Sequence, residues 1–215
     1  GNLSNINIEK IYSLKPDIVI AVTSLNKPQT VSKLRSLGIK VVEVKEGDSY
    51  KELLNNFVAL GRLVGKEALA KEKAQKIDTE VKRISGKCKS LSKKSVFIEF
   101  GDQPLVTLGS NTFSNDYLNL SSGYNIFSEM TMKYPKINRE EVIKRDPDII
   151  LIITMGLATE KEKNYWNQFK NLKAVKNNHI HIVDSNHFCR PTPMSFVTSF
   201  REIAKIIHPE ISIED

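Results

Sequence analysis

The stretch Ser185-Asn186-His187-Phe188-Cys189-Arg190 gathers the densest chemistry in the chain. The imidazole of His187 can ligate a metal centre. The guanidinium of Arg190 can pair with a carboxylate or a phosphate, or anchor the helix that follows. Phe188 offers an aromatic face. Cys189 belongs to a residue type more often buried as a small apolar side chain than used as a ligand. A second pattern is a matched pair of acids, Glu9 and Glu140. Each stands two residues after an Asn and seven before a Pro, in Asn7-Ile8-Glu9 with Pro16-Asp17 and in Asn138-Arg139-Glu140 with Pro147-Asp148; the two sets lie 131 residues apart. One such acid merely complements a helix dipole behind an Asn cap. Two placed alike, with the same cap and the same helix stop, point to a duplicated lobe.

These residues need elements to hold them. Asp17 to Val22 is a continuous apolar run, the pattern of a parallel strand buried on both faces. A helix over Gln29 to Leu37 stops at Gly38, and Ile39 to Val44 reads as the next strand. Ser49 or Asp48 caps a helix running through Leu53, Phe57 and Leu63 until Gly65 interrupts it. A second helix extends from Lys66 to about Ile84, where Ser85-Gly86 ends it. Its apolar stripe (Ala70, Ala74, Ile77, Val81, Ile84) is narrow, so most of its circumference faces water. It reads as a connector between two lobes, about 30 Å long. A second lobe opens with a strand over Ser95 to Phe100. Then come a short helix over Ser114 to Leu120, a loop over Gly123 to Tyr134 and a helix over Arg139 to Lys144. A strand over Asp148 to Thr154, a helix around Lys163 to Phe169, a strand over His179 to Val183 and a C-terminal helix from about Pro193 complete it. The expected organisation is residues 1–65 as an N-terminal lobe, 66–90 as the interlobe helix and 91–215 as a C-terminal lobe. The fold class is α/β, two parallel-sheet lobes joined by a single long helix. The strand near Val96 lies 44 residues before Glu140, and the same offset before Glu9 falls ahead of residue 1. The N-terminal lobe is therefore expected to lack its opening strand and helix.

Ligands in parallel α/β lobes bind beyond the carboxyl ends of strands. That rule selects Thr23, Ser24 and Leu25 after the first strand, and Glu46 and Gly47 after the second. In the second lobe it selects Gly101, Asp102 and Gln103, then Met155 and Gly156, then Ser185 to Arg190. Tyr134 and Met132 are further candidates. His179 and His181 alternate with Ile180 and Ile182 and read as structural, and His208 as a helix-end residue.

The bulk properties narrow the classes. The chain has 215 residues, 40% hydrophobic and 27% charged, with a net charge of +7. No apolar run approaches the roughly 18 residues of a membrane helix. No signal peptide is visible, which fits either a processed export signal or a cytosolic protein. The lysines are interleaved with acids, as in Lys66-Glu67 and Lys71-Glu72, and no aromatics accompany them; this is a solvated helix face rather than a nucleic-acid surface. Cys88 and Cys189 form no Cys-x-x-Cys motif, and their pairing stays open. Gly-x-Ser-x-Gly, the Gly-x-x-x-x-Gly-Lys phosphate loop and His-x-x-x-His are all missing.

With these residues in hand, the chain resembles the helical-backbone class of ABC-importer substrate-binding proteins, which includes vitamin B12, haem and ferric-siderophore binders. The resemblance rests on Asn7-Ile8-Glu9-Lys10-Ile11, Leu14-Lys15-Pro16-Asp17-Ile18-Val19, Leu34-Arg35-Ser36-Leu37-Gly38-Ile39-Lys40-Val41, Leu60 to Lys66, Gly123 to Phe127 and Arg190-Pro191-Thr192-Pro193. It implies two lobes on a rigid helix, no catalysis, no resident metal or cofactor, and a metal chelate (ferric siderophore, haem or cobalamin) as ligand. It implies permease docking through Glu9 and Glu140. It also implies an extracytoplasmic location, in the periplasm or on a cell-surface lipoprotein, with membrane contact only through a lipid anchor or the permease. The competing reading is a metal-dependent enzyme on a related two-lobed fold, which needs a nucleophile–base pair or a ligand cluster at the strand ends.

Overall fold

The computed structural model describes residues 6–154, 159–189 and 192–213; of Asp102, Thr154 and His187 only the backbone is described. By packing the chain divides into two units, Gly1–Gly47 and Asp48–Asp215.

The first unit alternates helix and strand: α1 (Ile8–Ser13), β1 (Val19–Val22), α2 (Pro28–Ser36) and β2 (Val41–Val44). The two strands pair in parallel, Val19 opposite Val41. Val31 and Leu34 of α2 pack with Ala21 and Val41 of the sheet, and Ile8 and Ile11 of α1 join them. This small core covers one face. Ile20, on the other face of β1, is 43% exposed. The run Asp17 to Val22 was expected to be buried on both faces, and in this unit it is not.

The second unit continues with α3 (Tyr50–Leu63), α4 (Glu67–Cys88), β3 (Lys94–Glu99), β4 (Gly101–Asp102), β5 (Leu105–Val106), α5 (Phe113–Leu120), β6 (Gly123–Asn125) and α6 (Arg139–Arg145). It ends with β7 (Ile149–Thr154), α7 (Thr159–Trp166), α8 (Lys173–Lys176), β8 (Ile180–Asp184), α9 (Ser185–Phe188) and α10 (Pro193–Ile207). Its main sheet has the order β6-β3-β7-β8 with every pair parallel. β4 and β5 form a separate antiparallel hairpin. Successive strand residues point to opposite faces, so β3 supplies two cores. Val96 and Ile98 pack with α4, α5 and α10, through Ile84, Leu118, Phe200 and Ile203. Phe97 packs on the other face with Ile150, Ile152, Val142 and Trp166. Each fully buried aliphatic or aromatic side chain contributes roughly 1.5–3 kcal/mol.

Several boundaries differ from expectation for local reasons. The division falls at Gly47/Asp48 rather than at residue 65, because α3 and α4 pack with α10 inside the second unit. α4 does not end at Ser85-Gly86 but runs to Cys88, since Ile84 and Cys88 continue its buried stripe. Its exposed side carries the expected acid–lysine pairs at i,i+4, Glu67–Lys71, Glu72–Lys76 and Asp78–Lys82. Gly123 to Tyr134 is not all loop: Gly123–Asn125 is an edge strand beside β3. Ser185 to Phe188 forms a helical turn, capped by the Asp184 carboxylate accepting from the Asn186 N–H at 2.8 Å.

The repeat is visible in the backbone. Asn7 caps α1 by accepting from the Lys10 N–H, and Asn138 caps α6 by accepting from the Glu141 N–H, each at 2.8 Å. Each helix is followed by a left-handed residue before proline, Lys15 (φ 45°) and Asp146 (φ 46°). That conformation closes a helix, and the proline ring disfavours further helical geometry before it. α2 and α7 begin at Pro28 and Thr159, keeping the same separation. The second unit then departs by inserting α8 before β8. Among the described residues, the first unit has no counterpart of β3.

Two glycines in helices give opposite expectations. A Cβ on Gly61 of α3 would sit 2.4 Å from Ala70 Cβ of α4, whereas one on Gly86 of α4 meets nothing within 4 Å. Replacing a helical glycine by alanine gains about 1 kcal/mol of propensity, while forcing atoms into a filled contact costs about 1–3 kcal/mol. Gly61→Ala is therefore expected to lower the denaturation midpoint and Gly86→Ala to raise it, both measurable by chemical unfolding.

Candidate ligand site and docking acids

In the first unit the loops after β1 and β2 meet. The Thr23 N–H donates to Val44 O at 3.1 Å, and the Ser24 hydroxyl donates to Glu46 Oε2 at 3.0 Å. Asn26 Oδ1 accepts from the Val22 N–H at 2.7 Å and closes the turn. The structure thus brings Ser24, Leu25 and Glu46 to one edge, with Leu25 45% exposed.

In the second unit the expected Gly101, Asp102 and Gln103 lie in the β4–β5 hairpin, directly beyond the carboxyl end of β3. Gln103 is exposed. A strip of irregular chain, residues 133–137, runs beside β5: Gly109 N–H donates to Lys133 O at 2.9 Å, Thr107 N–H to Pro135 O at 3.1 Å and Ile137 N–H to Leu105 O at 3.0 Å. This strip carries Tyr134. Its ring is half exposed and rests edge-on against Phe100, centroids 5.7 Å apart. Since Phe100 precedes Gly101, Tyr134 and the hairpin share one site. Met132 is also exposed. Lys133 pairs with Asp48 at the start of α3.

Phe188 is a correction. It is fully buried, 5.9 Å from Phe100 and 5.0 Å from Tyr117 between ring centroids. Its one-turn helix rotates the ring into the core, so it supports Phe100 rather than presenting a face to a ligand. Met155, Gly156 and Arg190 lie outside the described residues, and the His187 and Asp102 side chains likewise. Cys88 and Cys189 form no disulfide, and Cys88 is buried in the core. His208 is buried as well, its Nδ1 3.4 Å from Glu210 Oε1. Among the described residues no three or more His, Cys, Asp or Glu side chains are grouped to hold a metal ion. No described helix is long and apolar enough to cross a membrane.

Glu9 and Glu140 are both exposed in the first turns of α1 and α6. Beside Glu140, Glu141 is taken up by Arg145 at 2.8 Å. Arg145 also reaches Glu129 at 2.6 Å and lies over the Phe127 ring at 4.3 Å. Neither Glu9 nor Glu140 has an ion pair among the described residues.

A buried polar group behind α6 was missed in the sequence. Glu99, the last residue of β3, is 1% exposed, and its Oε2 accepts from the Trp166 indole N–H at 2.6 Å. Burial and the neighbouring Glu162 carboxyl push the Glu99 acid up to about 8. Glu162 in turn pairs with Arg139 Nη2 at 2.6 Å. The signal was an acid at a period-2 position facing the same core as Phe97, inside the apolar run Val-Phe-Ile-Glu-Phe.

The comparisons with known proteins now bear on this arrangement. The family of periplasmic binding proteins matches residues 1–187. The chain belongs to that family. A Bacillus subtilis ABC transporter substrate-binding lipoprotein is 30% identical over 96% of this chain and 66% of its own length. A vitamin B12-binding protein from Vibrio parahaemolyticus is 26% identical over 90% of this chain and 69% of its own. The chain thus spans about two thirds of the length of these relatives. Among solved structures, a possible iron-binding periplasmic solute-binding protein from Staphylococcus epidermidis superposes with a TM-score of 0.84 at 29% identity, over 96% of this chain and 81% of that one. A periplasmic haem-binding protein from Pseudomonas aeruginosa shares the fold at a TM-score of 0.82 and 17% identity, over 99% of this chain and 79% of that one. Three of these proteins are named for vitamin B12, iron or haem, and the α/β class expected from the sequence is theirs.

Two outcomes test the site. A Cβ on Gly109 would lie 2.0 Å from Met132 O, so Gly109→Ala is expected to cost about 1–3 kcal/mol and to displace Tyr134, seen as a change in near-ultraviolet circular dichroism. The second concerns pH. A buried acid whose folded value is raised binds a proton that the unfolded chain has already lost, so stability falls as pH climbs from the ordinary carboxylate range to about 8. His181, lowered by burial, His179 and Lys163, acts oppositely only below the ordinary imidazole range. Denaturation from about pH 6.5 upward should therefore show wild type losing stability relative to Glu99→Gln.

Proposed function

We propose that this chain is the extracytoplasmic substrate-binding subunit of an ABC importer. It captures a metal chelate (a ferric siderophore, haem or cobalamin) and hands it to the permease through Glu9 and Glu140. The observation that carries this reading is the repeated unit of Asn cap, exposed first-turn Glu, left-handed residue and proline. A dipole role alone requires no exposure and no repetition, whereas docking of two units on one partner requires both. Exposed carboxylates with no ion-pair partner among the described residues are ready for charge-assisted, bidentate pairing with arginines of a permease.

Ligand capture is assigned to the carboxyl edges: Ser24, Leu25 and Glu46 in the first unit, Gly101 to Gln103 and Tyr134 in the second. Met155, His187 and Arg190 remain candidates from the sequence. An exposed phenol, an exposed thioether at Met132 and an amide at Gln103 suit a large chelate with an apolar body and a polar rim. The enzyme reading has no cluster among the described residues to support it. The comparisons favour a solute binder held outside the membrane, through a lipid anchor or through the permease itself.

The test is a titration of the chain with cobalamin, haem and a ferric siderophore in turn, followed by quenching of Trp166, the single tryptophan. One chelate is expected to bind at least tenfold more tightly than the others, and Tyr134→Ala to weaken it. Absence of binding for all three refutes the chelate assignment. Glu9→Arg with Glu140→Arg should abolish permease-dependent uptake at unchanged ligand affinity; a fall in affinity instead would remove the docking assignment.

A further inference from the structure

The group behind α6 has a feature that packing does not require. Glu99 and Glu162 are both buried acids whose carboxyls face each other, one from β3 and one from α7. Glu99 Oε2 is satisfied by the Trp166 indole, but Oε1 is buried with no donor. Two facing carboxyls satisfy one another only when one carries a proton. Arg139, the first residue of α6, meets Glu162 with Nη2, while its Nη1 is buried without an acceptor. Its guanidinium lies over Tyr165 at 4.1 Å and over Trp166 at 5.2 Å. There is thus one acceptor short of a proton and one donor short of an acceptor in the same buried cluster.

We infer that Glu99, Glu162 and Arg139 form a proton-sharing brace that positions the first turn of α6, and with it the adjoining Glu140. Two arrangements satisfy the cluster. With the proton present, Glu99 donates to the Glu162 carboxylate, Glu162 holds Arg139, and the trio is neutral. When the proton leaves to water, the trio carries one negative charge. The two carboxylates repel, and the unused Arg139 Nη1 becomes the donor that bridges them. Arg139 is drawn inward, and α6 moves with it, because Arg139 and Glu140 are consecutive in one turn. Two discrete states of a packed element are what coupling between sites requires. Among the described residues the charged groups facing Glu99 are Glu162 from α7 and Arg139 from α6; the paired position on β7 is the apolar Ile152. The consequence for Glu140 rests on its proposed docking role; the brace itself does not. Arg139 and Glu162 are positioning residues in this scheme, not ligand contacts.

Trp166 reports the brace directly, as the only tryptophan and the donor to Glu99. Its emission should be followed in the full chain from about pH 6 to about pH 9.5, below the ordinary tyrosine range. Wild type is expected to show a single one-proton transition near pH 8, and Glu99→Gln, which mimics the protonated acid, none. Hydrogen exchange at the α6 amides, corrected for intrinsic rates, should change several-fold across the same transition in wild type and stay constant in Glu99→Gln. Glu162→Gln keeps the brace testable should Glu99→Gln fail to fold. It removes the facing acid and frees Arg139 for Glu99, so the transition should move at least one pH unit lower. A transition that persists in Glu99→Gln, a flat wild-type profile, or a tryptophan transition with unchanged α6 exchange would each overturn the inference. No readout needs permease or ligand, so failure of the docking assignment leaves these results separately legible.

Discussion

A parallel sheet covered by helices on both faces leaves water only at its ends. That constraint governs the second unit. β3 and β7 bury Val96, Ile98, Leu151 and Ile153 on one side and Phe97, Ile150 and Ile152 on the other. Polar chemistry is thereby pushed to the strand termini, where the chain turns and backbone groups are free. The β4–β5 hairpin, Gln103 and the Tyr134 strip all lie at the carboxyl end of β3 for this reason. Glu99 is the exception. It sits at the last position before the edge and is covered, so burial keeps its carboxyl protonated well above the ordinary carboxylate range, held by the Trp166 indole beside the Glu162–Arg139 pair.

The site also depends on the shapes beneath it. Tyr134 is held from below by Phe100, Phe100 by Phe188, and Phe188 by Tyr117, which stacks at 4.5 Å on Phe196 of α10. A half-exposed phenol at the end of such a chain has little freedom to move, which favours recognition of a rigid ligand. Gly109 permits the Tyr134 strip to approach, because a side chain there would collide with the Met132 carbonyl.

The repeat links this edge to the face proposed for docking. Both helices of the pair are short, Asn-capped and stopped by a left-handed residue before proline, so each places one exposed Glu at a defined position on its own unit. In the second unit that helix carries Arg139 at its start and Arg145 at its end, and both are tied into the body, Arg139 by Glu162 and Tyr165 and Arg145 by Glu129 and Phe127. The exposed acid is thus mounted on a short helix held at both ends, so a rearrangement at Arg139 is passed to it.

Local chemistry was legible without coordinates. Asn, Glu and Pro-Asp at matched spacing announced two capped helices feeding two strands, and the β-branched runs announced parallel pairing, because caps, breakers and periodicity act within a few residues. The carboxyl-edge rule placed Ser24, Gly101 and Gln103 at strand ends for the same reason, while Tyr134 was a candidate only from the Gly123 to Tyr134 loop. What the sequence did not determine is which side chains turn inward. Phe188 became core because one helical turn rotated it, and α3 joined the second unit because its apolar face matched α4 and α10. Glu99 met Glu162 and Arg139 only because three elements distant in sequence converge there. Burial and long-range pairing are properties of the packed state, and only the tertiary structure decides them.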